Sequence, residues 1–469
     1  MAKIPADRKR SAELCRELTE WATVAVTKPL PAPVRRRASL ILADDLGAII
    51  AGSQEDQVAQ AQAILARSSI GQDATVFAKA APRLDRYQAA SANGMAITWC
   101  ELDEGFRNAS CHGGAYTIPT LLSEAETRNL SVSELVQTLA VAYELTTRFA
   151  LAYPFPRFNV HPHAAFATLG AAVASSLARR QDAKTLLTAI TGAASMTFAG
   201  PFDTAVEGAL VRNAWTSIGP TIGMRSADFA EVGIGGRAET IYDVFVDCLG
   251  TNARVEALTE ALGERWSVAS GYHKVYACCG YAHSAVQATL ELSERLGKRS
   301  IDDVTNVIVE TSPGGLALTT VEPETVLAAK FSVPHSIADT MVVGNAGRRA
   351  FTESTLDDVA IADMRRRVKL VPYPNLKAWP NDRPARVTWK FRDGEEWSAV
   401  CESARGGADQ PFDDATLLLK LRDNAAEVFP NLPDLAWKIV DGDSEVLGLP
   451  WRDAVAGMVA GAKQTGVAA

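Results

Sequence analysis

Apolar residues recur at intervals of three and four through the first half of the chain, the spacing that gives a helix one buried face. Residues 34–52, VRRRASLILADDLGAIIAG, show this spacing clearly. Residues 164–178, AAFATLGAAVASSLA, carry many small side chains, which let neighbouring helices approach closely. We therefore predict an all-α body over residues 12–263, with the small-residue helix near its centre.

A different pattern marks the second half of the chain. β-branched residues dominate VTNVIVET, residues 304–311, and predict a strand. Residues 386–402 contain two further strand-like runs on either side of Asp393-Gly394, a dipeptide typical of hairpin turns. The proline-rich residues 371–384 are predicted to form a loop, with an interdomain linker as the alternative.

Helical spacing returns after residue 412, where Asp413 or Asp414 is placed to cap a helix. The predicted fold is mainly α with a smaller α+β domain. In this two-domain architecture a large helical domain is formed by both chain ends. The predicted domains are residues 1–267 together with 408–469, and residues 268–407.

Composition and charge exclude several classes of partner. The 47 basic and 55 acidic residues give a net charge of -8 and are scattered, which argues against nucleic acid or an anionic membrane as a partner. The N-terminal sequence MAKIPADRKRSAEL has no apolar stretch behind its basic residues, and no window reaches the 18 or so apolar residues of a membrane span. We expect a cytoplasmic protein.

Motifs for nucleotide binding, serine hydrolysis and disulfide formation are missing from the sequence. It contains neither GxxxxGK[ST] nor GxSxG, and residues 233–236, GIGG, do not satisfy GxGxxG. Seven cysteines without a signal sequence predict reduced thiols. Cys278 and Cys279 are adjacent and lack CxxC spacing, so we interpret them as small buried residues.

The candidate chemistry lies around the six histidines, because an imidazole exchanges protons near neutral pH. Residues 101–114, ELDEGFRNASCHGG, form a polar loop between a helix ending near residue 100 and one beginning near residue 119. Either a functional loop or a solvated connection fits this composition. The loop offers acids, a cation and a base: Glu101, Asp103, Glu104, Arg107 and His112.

His161 and His163 stand directly before the small-residue helix. The positive end of the helix dipole disfavours protonation of His161, leaving a neutral base, and the same helix end can hold a carboxylate. His163 could cap the helix. The alternative, that both histidines bind a metal, requires further ligands.

Two more segments offer cations. Arg212 lies in otherwise apolar and small-residue sequence, where its guanidinium could bind a substrate carboxylate or pair with a structural acid. Residues 276–283, YACCGYAH, follow Lys274 closely and contribute Tyr276 and His283.

Five segments, in order, resemble the MmgE/PrpD family, which contains 2-methylcitrate dehydratase, cis-aconitate decarboxylase and iminodisuccinate epimerase. The resemblance runs nearly end to end. It implies a large helical domain from both chain ends, a smaller α+β domain, a homodimer, and an active site in the cleft that works without metal or organic cofactor. The segments are ILADDLGAIIAGS, ANGMAITWCELDEGFRNASCHGGAYTIPTLLSEAE, VHPHAAFATLGAAVASSLA, KVYACCGYAHSAVQATLEL and AAKFSVPHSIADTMVVG.

Carried over by position, His112 matches the family's loop histidine, His161 its helix-start histidine, and Lys274 and His283 its Lys-x-Tyr motif, with Lys274 as the anion-binding cation. Several positions depart from the family pattern. The family's Asp-x-Asp-Asp-Thr becomes ELDEG at 101–105. The segment SPGGLALTT at 312–320 lacks the tyrosine that is associated with decarboxylation in the family, which makes decarboxylation a weaker candidate reaction. Arg212 replaces a common lysine, Trp215 a histidine and His335 a tyrosine.

The predicted function is that of a cofactor-independent, dehydratase-type lyase. It removes the proton α to a carboxylate of a small di- or tricarboxylate such as a methylcitrate-like hydroxy acid, with His161 or His112 as the base. Alternatives are a two-base epimerase of an iminodisuccinate-like dicarboxylate, a non-catalytic binding protein, and a metallohydrolase. The predicted catalytic residues are His161, His112, Glu101 and Asp103. The predicted substrate-binding residues are Arg212, Lys274, Tyr276, His283, Arg107 and His163, with no metal ligand.

Overall fold

A computed structural model describes residues 6–157 and 159–462 of the chain. Helices dominate its N-terminal half, as the spacing of apolar residues predicts. These helices are α1 (Ala6–Ala25), α2 (Ala32–Ser53), α3 (Asp56–Ser68), α4 (Arg86–Ile97), α5 (Gly113–Arg128), α6 (Val132–Ala152), α7 (Pro162–Ala178), α8 (Ala183–Ser195), α9 (Asp203–Val206), α10 (Val211–Ala230) and α11 (Thr240–Tyr242).

Strands and shorter helices alternate through the second half before four helices close the chain. The helices are α12 (His283–Arg295), α13 (Pro313–Leu316), α14 (Val326–Lys330), α15 (Val333–Val343), α16 (Glu353–Leu356), α17 (Val359–Arg367), α18 (Asp414–Ala425), α19 (Leu432–Asp441), α20 (Ser444–Gly448) and α21 (Trp451–Val459). The strands of this half are β4 (Gly271–Tyr272), β5 (Val304–Thr311), β6 (Val368–Pro372), β7 (Ala385–Phe391) and β8 (Glu396–Cys401). Three short strands, β1 (Ala74–Thr75), β2 (Arg83–Leu84) and β3 (Gly105–Phe106), lie within the body that was predicted to be all α.

Helix α7 lies at the centre of the helical body, as its small residues predict. All 17 of its residues are buried, and it packs against α5, α6, α8 and α10. Close approach to α10 depends on glycine, because a Cβ atom on Gly219 would lie 2.7 Å from the Ala167 side chain. The start of α7, which carries His161 and His163, is therefore held in place by packing on several sides.

Both ends of the chain build the helical domain, which confirms the predicted architecture. α18 and α19 pack on α2, while α20 and α21 pack on α6 and α5. Asp413, rather than Asp414, caps α18 by accepting the Thr416 N–H at 2.8 Å. The exact domain boundaries stay a prediction. Within the described residues, no helix combines the length and apolarity needed to cross a membrane.

The smaller domain contains a four-stranded sheet with strand order β6-β5-β7-β8. Strand β5 spans the predicted residues 304–311, and β7 and β8 form the predicted hairpin, with Gly394 at a φ of 88°. β6 pairs parallel to β5 and was not predicted. Helices α12 and α15 pack on the sheet, and residues 373–384 form a loop between β6 and β7 within this domain.

One predicted boundary is wrong. Helix α5 begins at Gly113, not near Pro119, which lies inside the helix. The helix start was predicted six residues too late because packing, rather than a local signal, fixes the first turn of the helix. A Cβ atom on Gly113 would lie 2.6 Å from the Tyr143 ring, so glycine lets the start of α5 sit against α6. As a result, His112 stands directly at the N-terminus of α5.

Candidate active site

A cavity of about 80 Å³ lies where the helical domain meets the smaller domain. The α4–α5 loop reaches it because β3 pairs with β4, placing Gly105 opposite Tyr272. This short pairing joins the acidic loop to the segment that carries Lys274. Six of the predicted site residues line the cavity: Glu101, Arg107, His112, His161, Arg212 and Lys274.

Asp103 and His112 form a hydrogen-bonded pair at the cavity wall. His112 Nδ1 lies 2.7 Å from Asp103 Oδ2 and 2.9 Å from the Glu104 carbonyl oxygen. Both partners are acceptors, so Nδ1 carries the proton and the lone pair of the neutral imidazole is on Nε2. Burial alone would raise the pKa of Asp103, but Lys274 and His112 outweigh it and hold that pKa well below its ordinary value. This geometry suits His112 to accept a proton.

His161 has the opposite proton arrangement. It is the N-cap of α7, and its Nδ1 accepts the His163 backbone N–H at 3.2 Å. The cap is therefore His161, not His163. Burial, then the charge of Arg212 and the neighbouring His112, lowers the pKa of His161 well below its ordinary value. A neutral ring whose Nδ1 accepts a hydrogen bond carries its proton on Nε2, which makes His161 a proton donor.

Arg212 and Lys274 supply buried positive charge beside the two histidines. Arg212 forms an ion pair with Glu101 and donates to the Thr98 carbonyl oxygen at 2.8 Å. Lys274 Nζ lies 3.2 Å from Asp103 Oδ1 and 3.7 Å from Glu101 Oε2. Burial would lower the pKa of Lys274, but Asp103 and Glu101 raise it above its ordinary value, so the lysine stays charged.

Glu104 does not line the cavity; its hydrogen bonds hold the acidic loop in place. Its carboxylate accepts hydrogen bonds from the Tyr143 hydroxyl and, at 3.1 Å, from the Gly114 N–H, and its own N–H donates to Asp45 at 2.8 Å. Burial raises the pKa of Glu104 to about 7. These bonds fix the turn that presents Asp103 and His112.

Three predicted binding residues do not line the cavity. His163 is buried behind His161 and bonds the Tyr116 hydroxyl through Nδ1 at 2.8 Å. His283 is engaged at both ring nitrogens, by the Tyr272 hydroxyl at 2.6 Å and by the Cys278 carbonyl oxygen at 3.0 Å. Burial lowers the pKa of His283 to about 3, so it orients Tyr272 as a neutral ring. Tyr276 packs edge-on against His283.

Arg107 lines the cavity but is held by the smaller domain. It donates to Ser403 Oγ and to the Pro380 carbonyl oxygen, each at 3.0 Å, and pairs with Asp382 at 3.1 Å. The proline-rich loop thus contributes directly to the wall of the cavity.

Several lining residues escaped sequence reasoning, notably Cys279, Tyr281 and Arg383. The Arg383 guanidinium stacks over the Tyr281 ring at 4.4 Å and lies 3.5 Å from Asp382. The ring of Tyr281 occupies the space beside Gly314, where a Cβ atom would collide with it. No periodicity marks Arg383, since it lies in a loop that only the tertiary fold brings to the site. Both Cys278 and Cys279 are buried free thiols.

The metal alternative based on His161 and His163 finds no further ligands nearby. Within residues 6–157 and 159–462, no group of three or more His, Cys, Asp or Glu side chains is arranged to hold a metal ion. The two rings do lie close together, with centroids 4.5 Å apart, and each Nδ1 already has a hydrogen-bond partner.

Two family models match most of the chain, one for each half. The MmgE/PrpD N-terminal domain matches residues 16–248 and the MmgE/PrpD C-terminal domain matches residues 276–445. The chain therefore belongs to the MmgE/PrpD family, as its motifs indicate.

Curated relatives match the chain over most of their length. Cis-aconitate decarboxylase-like protein oryM of Aspergillus oryzae is 24% identical over 447 residues, covering 89% of this chain and 91% of that protein. Cis-aconitate decarboxylase of Aspergillus terreus is 23% identical over 459 residues, covering 91% and 92% respectively.

Proposed function

We propose that the protein is a dehydratase-type lyase that acts, without an organic cofactor, on a small di- or tricarboxylate such as a methylcitrate-like hydroxy acid. The observation that carries this proposal is the Asp103–His112 pair, whose histidine lines the same cavity as the buried cations Arg212 and Lys274. Family membership and relatives named as cis-aconitate decarboxylases support lyase chemistry on a polycarboxylate.

The charge of the cavity supports an anionic substrate. Among the described residues, four cationic side chains line the cavity beside a single carboxylate, Glu101. Buried guanidinium and ammonium groups bind carboxylates through charge-assisted hydrogen bonds. The four cations are Arg107, Arg212, Lys274 and Arg383.

His112 and His161 divide the proton transfers between them. His112 Nε2 removes the proton α to a substrate carboxylate, and Asp103 stabilises the imidazolium that forms. Lys274 and Arg212 stabilise the negative charge that develops on the carboxylate as the proton leaves. His161 Nε2–H protonates the departing β-hydroxyl, which leaves as water. His112 then releases its proton to solvent, from which His161 regains one.

An epimerase is the second candidate, because it shares the first step. The donor Nε2–H of His161 could return a proton to the opposite face of the same carbon instead of to a leaving hydroxyl. The observation that favours this candidate is that the acceptor and the donor histidine both line one cavity. The substrate decides the outcome, since epimerisation requires no β-leaving group.

The remaining alternatives have less support. Convergence of a carboxylate, cations and histidines on one cavity supports an enzyme over a non-catalytic binding protein. Decarboxylation has less support than dehydration. The names of the relatives and the presence of Tyr281 in the lining nevertheless justify testing cis-aconitate. The family resemblance also supports a homodimer, and sedimentation equilibrium would test the oligomeric state.

The test is a proton NMR assay in D2O with methylcitrate, citrate, malate, tartrate, iminodisuccinate and cis-aconitate. The wild type is compared with His112→Gln and His161→Gln. An alkene signal from a hydroxy acid indicates dehydration, deuterium at the α-carbon with an unchanged skeleton indicates epimerisation, and loss of carbon dioxide indicates decarboxylation.

We expect the two variants to differ in kind. His112→Gln should lose both product formation and α-deuterium exchange, by about a hundredfold or more, because it lacks the base. His161→Gln should lose product formation but keep measurable α-deuterium exchange. Exchange that persists in His112→Gln and vanishes in His161→Gln would reverse the assignment. A wild type that turns over none of the six compounds would count against the proposed function.

A further inference from the structure

A second cavity of about 160 Å³ adjoins the candidate active site. It lies between the end of α6, the following turn at residues 153–157, and the start of α7. Aromatic and aliphatic side chains dominate its lining, with the Phe155 and Phe166 rings packed edge-on at 6.4 Å. The charged residue in this lining, Arg157, is exposed, so the interior is apolar.

The two cavities meet at three residues that line both: Ser110, Pro162 and Phe202. Ser110 is small and exposed, and the Phe202 ring stacks on the His161 imidazole with centroids 5.6 Å apart. A ligand bound beside His161 therefore reaches the boundary of the apolar cavity. Any substituent pointing away from the cations at that boundary meets an aromatic wall.

The sizes of the two cavities differ in a way that bears on the substrate. The charged cavity measures about 80 Å³ and the apolar one about 160 Å³. A methyl group would leave most of the larger cavity unfilled. A hydrocarbon chain of several carbons would exchange water for contact with Phe155, Phe166 and Phe202.

We propose that the apolar cavity is a substrate subsite for an alkyl chain. The preferred substrate is then a hydroxy di- or tricarboxylate whose carboxylates meet Arg212 and Lys274 and whose linear alkyl substituent, longer than methyl, fills the space between Phe155 and Phe202. The identity of the polar end rests on the proposed function, whereas the affinity for an alkyl chain can be measured without turnover.

The experiment uses two series of compounds with methyl, propyl, pentyl and heptyl chains. Alkylcitrates report turnover, and 2-alkylsuccinates, which lack a leaving hydroxyl, report binding by calorimetry. We expect kcat/KM for the citrates to rise, and Kd for the succinates to fall, by about fourfold per added methylene until the cavity is filled. This factor corresponds to about 0.8 kcal/mol per buried methylene.

Two variants probe the cavity itself. Ala150 is buried in the wall of the cavity, so in Ala150→Leu the gain in affinity and in kcat/KM per methylene should end at a shorter chain length. Phe155→Ala removes an aromatic side chain from a partly exposed turn. It should reduce the gain in affinity and in kcat/KM per methylene without disturbing the core. Ala59→Leu makes the same substitution at an exposed position of α3, outside the lining of the cavity, and should leave the dependence on chain length as in the wild type.

The outcomes separate the subsite from the reaction. A Kd that is independent of chain length, or a dependence that Ala150→Leu and Phe155→Ala leave unchanged, overturns the subsite. If methylcitrate is turned over but kcat/KM does not rise for longer chains, the subsite is overturned and the proposed function still holds. Binding that strengthens with chain length, together with no turnover of any alkylcitrate or of the six compounds named above, supports the subsite and overturns the proposed function.

Discussion

Glu101 and Arg212 show how two departures from the family pattern fit together. By the resemblance to the family, Glu101 stands where an aspartate is expected and Arg212 where a lysine is expected, and in this chain they form a buried ion pair. Glu101 adopts a φ of 54°, in the left-handed region that non-glycine residues rarely occupy. Glu101 thus pairs with Arg212 from a strained backbone position in the lining of the cavity.

Removing both charges of this ion pair should cost less than the sum of the two single losses. Arg212→Gln leaves Glu101 buried with only the more distant Lys274 as a partner, so we expect a loss of about 3–5 kcal/mol in the free energy of unfolding. Glu101→Gln should cost less, and the double variant should be less destabilised than the sum of the two by about 0.5–3 kcal/mol. Urea denaturation of all four proteins measures the coupling, and strict additivity would show that the pair does not interact.

Helix α15 carries polar residues that the cavity does not use. His335, which stands where the family has a tyrosine, accepts a hydrogen bond from Arg365 at Nδ1 over 3.0 Å. Asp339, one turn later, is fully buried, and neither of its carboxylate oxygens has a hydrogen-bond partner among the described residues. Burial, and then the nearby charge of Asp358, raises the pKa of Asp339 to about 8.

Asp339 should therefore make the folded protein less stable as the pH rises. Because its folded pKa of about 8 lies above the ordinary 3.8, the native state holds a proton that the unfolded chain releases across this range. An asparagine side chain does not ionise, so Asp339→Asn avoids this loss of stability. The midpoint of thermal unfolding of the variant should match that of the wild type near pH 4 and exceed it by a growing margin up to pH 8. The free-energy gain is at most about 6 kcal/mol.

The control for Asp339 is an exposed acid on another helix. Glu20→Gln, on the surface of α1, should follow the wild type at every pH. A difference between Asp339→Asn and the wild type that stays constant from pH 4 to pH 8 would show that the carboxyl group is not protonated in the folded state.

Helices and strands followed from local patterns where those patterns were strong. Residues 304–311 form a strand because β-branched residues favour it, and the hairpin turns at Asp393-Gly394 because glycine supplies a positive φ. Helix α5 was placed too late because close packing of Gly113 on Tyr143, which no local pattern reveals, sets its start.

Asp44 connects three distant parts of the chain. It accepts a hydrogen bond from Lys420 of the C-terminal helix α18 at 2.6 Å, and it lies 2.8 Å from His273 Nδ1. Lys420 also donates to the Leu102 carbonyl oxygen at 2.7 Å. The C-terminal helices thus hold both the acidic loop and the segment that carries Lys274.

Lys420→Met should disturb stability and substrate binding together. It leaves Asp44 buried with His273 as its remaining hydrogen-bond partner, so we expect about 3–5 kcal/mol less free energy of unfolding. It also frees the Leu102 carbonyl beside Asp103, so KM should rise more than kcat falls. Lys438→Met, an exposed lysine on α19, is the matched control and should change neither. Wild-type stability and KM in Lys420→Met would show that the Asp44 contact is dispensable.

The sequence by itself determined the helical body, the strand-rich insert and the acidic loop with its histidines, because hydrophobic periodicity and turn chemistry are local. Ordered motifs identified the family and pointed to His112, His161, Arg212 and Lys274, which do line one cavity. Tertiary structure alone decided that His283 and His163 stand behind that cavity, that Arg383 and Tyr281 enter it, and that an apolar cavity adjoins it. It also set the proton positions on His112 and His161, because a tautomer depends on which acceptors and donors the fold places beside each ring.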